Sequence, residues 1–133
     1  SEHLIASHLE VQGQIRHMNQ EKPSTREELF RRVSNARNYV DEHFLEDLNL
    51  DDLASLANLS KYHFLRCFKQ VYGHSPYQYV IARRLQHGRE LVRQNQHSLT
   101  EIAYLTGFSD RRAFNKAFKK AYGLGPTDYR KSC

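Results

Sequence analysis

Five hydrogen-bonding side chains crowd one short stretch near the C-terminus: Arg111, Arg112, Asn115, Lys116 and Lys119. If that stretch is helical, Arg112, Lys116 and Lys119 share a face, with Arg111 and Asn115 beside it, because residues three and four apart are neighbours on a helix. Earlier in the chain Tyr62, Arg66 and Lys69 make a second such face, flanked by Lys61 and Leu65. Guanidinium and ammonium groups only donate hydrogen bonds, so these faces suit a ligand rich in acceptors. The DNA major groove is one. Arg and Lys donate to guanine O6 and N7, Asn pairs with adenine, and an apolar side chain meets a thymine methyl. Residues near the start of a helix reach the bases.

Other chemistries find little support. The eight histidines stand at 3, 8, 17, 43, 63, 74, 87 and 97, and no two have the i, i+4 spacing of a zinc-binding helix. Cys67 and Cys133 are too few for a disulfide scaffold or a cysteine-rich zinc site. No nucleophile elbow, phosphate-cradling glycine loop or Cys-x-x-Cys is present. We expect no catalytic residue, no metal ligand and no cofactor. Mean hydropathy is -0.77, and no apolar run approaches the ~20 residues of a membrane span. A cytoplasmic protein without membrane contact is therefore expected. The net charge of +5 is unevenly spread over the 133 residues. Residues 1–60 hold six Lys/Arg against eleven Asp/Glu, a net of −5, and residues 61–133 hold fourteen against four, a net of +10. A basic half on a small domain points to a polyanion partner. A helical protein-interaction module that binds an acidic partner is the alternative.

The elements that position these residues come as a repeat. LDDLASLANLS at 50–60 matches LTEIAYLTGFS at 99–109, and FLRCFKQVYGHSPYQY at 64–79 matches FNKAFKKAYGLGPTDY at 114–129. Eleven of these 27 aligned positions are identical. Asn49 can cap one helix, and Ser98 with Glu101 forms a capping box on its counterpart. Ala54 and Ala103 are each followed four residues later by Asn58 or Gly107, residue types that accept the left-handed conformation of a tight turn. A second helix follows, with Ser60 or Ser109 as its expected cap. This is the plan of a helix-turn-helix. Phe64, Phe68 and Val71 should face the core, as should Phe114, Phe118 and Ala121, and Cys67 should pack beside the first stripe.

We therefore expect an all-α fold of about seven helices, near residues 25–46, 50–57, 61–72, 76–94, 99–106, 110–122 and 126–131. Two helix-turn-helix subdomains, 25–75 and 95–133, are joined by a long linker helix over 76–94. That helix would be ~28 Å long, able to hold two recognition helices about one DNA turn, ~34 Å, apart. Its arginines, Arg83, Arg84, Arg89 and Arg93, are read mainly as paired with acids or water. Residues 1–24, with Leu4, His8, Val11 and Ile15 on one helical face, read as a connector from a missing upstream region, helical in part.

At this point the sequence closely resembles the DNA-binding domain of the AraC/XylS family of bacterial transcription regulators. The stretches that carry the resemblance are LASLANLSKYHFLRCFKQVYGHSPYQYV, RRLQHGRELV and IAYLTGFSDRRAFNKAFKKAYGLGPTDYR, within residues 30–131. The resemblance implies sequence-specific binding of double-stranded DNA, control of transcription, usually activation, and often an upstream ligand-binding or dimerisation domain. It puts the recognition helices at about 61–72 and 110–122, in successive major grooves. Base-reading positions then fall on Tyr62, Leu65 and Arg66, and on Arg111, Arg112, Asn115 and Lys116. Leu65 stands where many relatives carry a polar reader, and Tyr62 where an indole is frequent. An activator would meet the RNA polymerase sigma subunit, for which Glu101 and Asp110 are candidates, although both also suit helix N-termini. The isolated domain is expected to be monomeric, with dimerisation left open for the full-length protein.

Overall fold

Seven α-helices account for most of residues 25–133, the part of the chain that the computed structural model describes. They are α1 (Arg26–His43), α2 (Leu50–Leu56), α3 (Lys61–Tyr72), α4 (Pro76–Gln94), α5 (Leu99–Leu105), α6 (Arg111–Tyr122) and α7 (Pro126–Ser132). No strand occurs among the described residues. The connector expected over 1–24 lies outside them.

The helix ends follow the local punctuation. Thr25 Oγ1 accepts from the Glu28 amide at the start of α1. The Asn49 side chain accepts from Asp52 N, and Ser60 Oγ from His63 N. Ser98 and Glu101 complete both halves of a capping box. Ser75 and Gln78 exchange a similar pair of bonds ahead of Pro76. One expected cap is corrected: Asp110, not Ser109, caps α6, its side chain accepting from Ala113 N. The residue inserted after Ser109 moves the cap one place on. A carboxylate there also favours the positive end of the helix dipole. The first helix is shorter than expected, ending at His43 rather than near 46.

The described residues divide into two compact units. One comprises the residues up to His43 with Leu48–Gln78, and the other Phe44–Asp47 with Tyr79–Cys133. In the first, α1, α2 and α3 pack on one another. Val33, Ala36, Val40, Leu53, Leu56, Phe64 and Phe68 are buried there. In the second, Leu85 and Val92 of α4 join Leu99, Ile102 and Ala103 of α5 and Phe114 and Phe118 of α6 in one apolar cluster. Tyr129 of α7 packs against it, and Arg130 donates to the carbonyls of Val92 and His97, closing the end of α4.

The third member of each expected core stripe is exposed. Val71 and Ala121 face solvent, while Tyr72 and Tyr122, one residue on, are half-buried. The core face turns at the last helical turn, because the tyrosine ring takes the space beside the preceding phenylalanine. Tyr72 lies 4.8 Å from Phe68 and Tyr122 4.8 Å from Phe118.

Gly88 sits inside α4, where glycine costs ~1 kcal/mol relative to alanine. Packing accounts for it. A Cβ on Gly88 would lie 2.9 Å from Cε1 of Phe114, a fully buried ring. Gly88→Ala gains that ~1 kcal/mol of helix propensity but overpacks the cluster, at ~1–3 kcal/mol. We expect a net loss of stability, with Gly88→Leu worse, measured by thermal melts of both variants. A Gly88→Ala chain more stable than the parent would contradict this packing.

Candidate nucleic-acid interface

Both helix pairs turn in the same way. Asn58 has φ 55° and Gly107 φ 84°. In each, the residue after the turn bonds back to the small residue of the first helix, Leu59 N to Ala54 O and Phe108 N to Ala103 O, both at 3.0 Å. The turn delivers α3 and α6 with their phenylalanines inward: Phe64, Phe68, Phe114 and Phe118 are all 0–1% exposed. An α-helix advances ~100° per residue. Positions two before and two after the inner phenylalanine therefore point outward.

Those positions carry the expected residues. On α3, Tyr62 is 76% exposed, and Arg66 and Lys69 are exposed. On α6, Arg111, Arg112, Lys116 and Lys119 are exposed. Leu65 and Asn115, equivalent in the repeat, are only half-exposed and flank the core face. Asn115 Oδ1 is buried with no hydrogen-bond partner. Bidentate pairing with adenine would need both amide atoms, so Asn115 must swing outward to make it.

The electrostatics separate two kinds of cation. Among the described residues, Arg66, Lys69, Arg111, Arg112, Lys116 and Lys119 take part in no ion pair or side-chain hydrogen bond. The arginines of the packing helices are engaged. Arg31 and Arg32 hold Glu28, whose carboxyl lies below its usual range through its bonds first to Arg31 and then to Arg32. Arg93 holds Glu90, Arg83 donates to Gln86, and Arg84 donates to the carbonyls of Phe44 and Glu46. Arg89 covers the Tyr122 ring at 4.6 Å. Glu101 and Asp110 are likewise engaged at helix starts, in the capping box and as the α6 cap. Burial pushes the Cys67 thiol up, so this side chain stays protonated and packs. No group of three or more metal-ligating side chains occurs among the described residues, and no described helix is long and apolar enough to cross a membrane.

Sequence reading missed a further layer of the repeat. RRVSNARNYV at 31–40 in α1 matches RRLQHGRELV at 83–92 in α4, with both Arg pairs, Arg37/Arg89 and Val40/Val92 shared. Each unit thus includes a third equivalent helix. The offset there is 52 rather than 49, because the connection after α1 is longer, and the match escapes a fixed-offset comparison.

Residues 53–132 match the model of a helix-turn-helix domain family. The chain belongs to the AraC/XylS-type helix-turn-helix family. It is 36% identical over 92 residues to the "Probable transcriptional regulator LumQ" of Photobacterium leiognathi, over 69% of this chain but only 37% of that protein. Among solved structures it resembles the C-terminal domain of AraT, a response regulator of Geobacillus stearothermophilus, at 33% identity and a TM-score of 0.70, covering 77% of this chain and 85% of that one. It also resembles the DNA-binding domain of the global transcriptional factor AdpA in complex with a target DNA, at 27% identity and a TM-score of 0.69, covering 75% and 90%.

Proposed function

We propose that this chain is the DNA-binding part of a bacterial transcription regulator and reads double-stranded DNA with α3 and α6 as recognition helices. The carrying observation is the pair of exposed, unpaired cationic faces at repeat-equivalent positions, each mounted on the same left-handed turn. A cation in no ion pair has no protein partner to lose when it meets a phosphate or a base edge. Arg66 and Arg112 donate to guanine, Tyr62 and Leu65 make apolar or hydroxyl contacts, and Arg111, Asn115 and Lys116 extend the reading face of α6. Lys69 and Lys119, further along their helices, meet phosphate. Residues 25–75 and 95–133 carry one recognition helix each, and α4, which joins them along the chain, packs largely within the second unit.

The proposal extends to activation, the usual outcome the family resemblance implies, with the sigma subunit of RNA polymerase as protein partner. Capping does not bar Glu101 and Asp110 from that contact, since a carboxylate has several acceptor sites. The protein works in the cytoplasm. The isolated domain is monomeric, and an upstream region supplies effector binding or dimerisation. Selection of bound duplexes from a random library tests the reading. We expect enrichment of two short elements about one helical turn apart. An unenriched pool would favour the alternative, a module that docks on an acidic protein.

A further inference from the structure

Each recognition helix is gripped at both ends by guanidinium groups from the third helix of its own unit. In the first unit Arg32 Nη1 donates to the carbonyl of Asn58 at 2.9 Å. Asn58 is the left-handed turn residue, two before the Ser60 cap of α3. Five residues along α1, Arg37 lies 4.7 Å over the ring of Tyr72, the last residue of α3. In the second unit Arg84 Nη1 reaches the carbonyl of Gly107 at 3.5 Å, and Arg89 lies 4.6 Å over Tyr122, the last residue of α6. Arg32/Arg84 and Arg37/Arg89 are equivalent positions in the repeat of α1 and α4.

Apolar packing holds each helix against its neighbours, but the hydrophobic term that drives it is itself non-directional. A 12-residue helix is ~18 Å long, so a tilt of ~5° about one end carries the other ~1.6 Å. The distance window of a hydrogen bond is only ~0.5 Å wide. A hydrogen bond to the turn just ahead of the helix and a cation over the tyrosine ring at its last residue add direction to that packing.

We propose that Arg32 with Arg37, and Arg84 with Arg89, are positioning residues. They brace α3 and α6 at both ends, set the angle at which each meets the bases, and so determine base discrimination without touching DNA. The inference rests on the DNA-reading function proposed above. The two braces differ in kind. Arg84 also donates to Phe44 O at 2.7 Å and Glu46 O at 2.9 Å, and its reach to Gly107 is long. The second brace therefore depends more on Arg89.

The test compares the affinity of the whole chain for a selected operator with its affinity for each single-base-pair variant of that operator and for random duplex. Measurements are made at a temperature where circular dichroism shows each protein fully helical. The paired substitution Arg32→Gln with Arg37→Gln is expected to lose roughly 2- to 30-fold in discrimination, only at the base pairs that Arg66→Ala also relaxes. Arg89→Gln should do the same at the base pairs read by α6, which keeps the test open if the paired variant fails to fold. Arg37→Lys, which keeps a cation over the ring, should retain most of the discrimination. A merely structural role would show as lost helicity on heating, with discrimination intact at the lower temperature. Folded variants that discriminate like the parent, or that weaken on operator and random duplex alike, would overturn the brace alone. A parent chain that binds all duplexes equally would overturn the DNA-reading function and the brace with it.

Discussion

Phe118→Ala should cost about 3–5 kcal/mol and Phe68→Ala a similar amount, each by leaving a cavity in the core of its unit. Phe118 is 0% exposed and Phe68 1%. The Phe118 ring lies 5.6 Å from Phe114, 4.8 Å from Tyr122 and 5.5 Å from Tyr129. Phe68 lies 5.7 Å from Phe64 and 4.8 Å from Tyr72. Neither ring cluster can collapse onto an alanine without moving several other rings. Whole domains are stable by only ~5–15 kcal/mol, so such a loss is enough to melt one unit. Thermal and urea melts of both variants give the measurement. A loss below ~1 kcal/mol for either would mean that the ring is not a core element of its unit.

Binding to random duplex should weaken steeply as salt rises. Each phosphate neutralised releases condensed counterions, and log K falls with log[salt] by ~0.9 per contact. On random duplex, where no base pair matches the reading face, Arg66, Arg111, Arg112 and Lys116 rest on phosphate alongside Lys69 and Lys119, and about six such contacts give a slope near −5. Over a fourfold rise in salt that is roughly a thousandfold loss of affinity. These six make no ion pair among the described residues, so no internal contact competes with phosphate. A slope shallower than about −2 in an anisotropy titration would show that these faces are not the binding surface.

The helices and turns were legible in the sequence because their signals are local. A cap such as Asn49 or Ser98 acts within three residues, and the left-handed positions Asn58 and Gly107 stand four residues after an alanine. The repeat then doubled each signal. The outward faces of α3 and α6 followed from helical spacing alone. What escaped is tertiary. The insertion after Ser109 could be placed before or after the cap, and only backbone geometry selects Asp110. Val71 obeys the helical period but lies where Tyr72 takes the core contact. The grip of Arg32 on Asn58 spans 26 residues, and nothing local distinguishes that arginine from a solvated one. Gly88 likewise shows its reason only once Phe114 is packed against it. Among the reading residues, no local signal marks Asn115 as the one that holds its Oδ1 buried.

The central claim is that two recognition helices read two separate sets of base pairs, and a base-substitution scan of the selected operator tests it most directly. The scan is run with the parent chain, Arg66→Ala, Arg112→Ala and Lys119→Ala. Arg66→Ala and Arg112→Ala should each lose ~1–3 kcal/mol on the operator and relax discrimination at one or two base pairs. The two relaxed sets should lie about 10 bp apart. Lys119→Ala should weaken operator and random duplex about equally and flatten the salt slope by ~1. If Arg66→Ala and Arg112→Ala relax the same base pairs, or none, the picture of two helices in successive grooves is wrong.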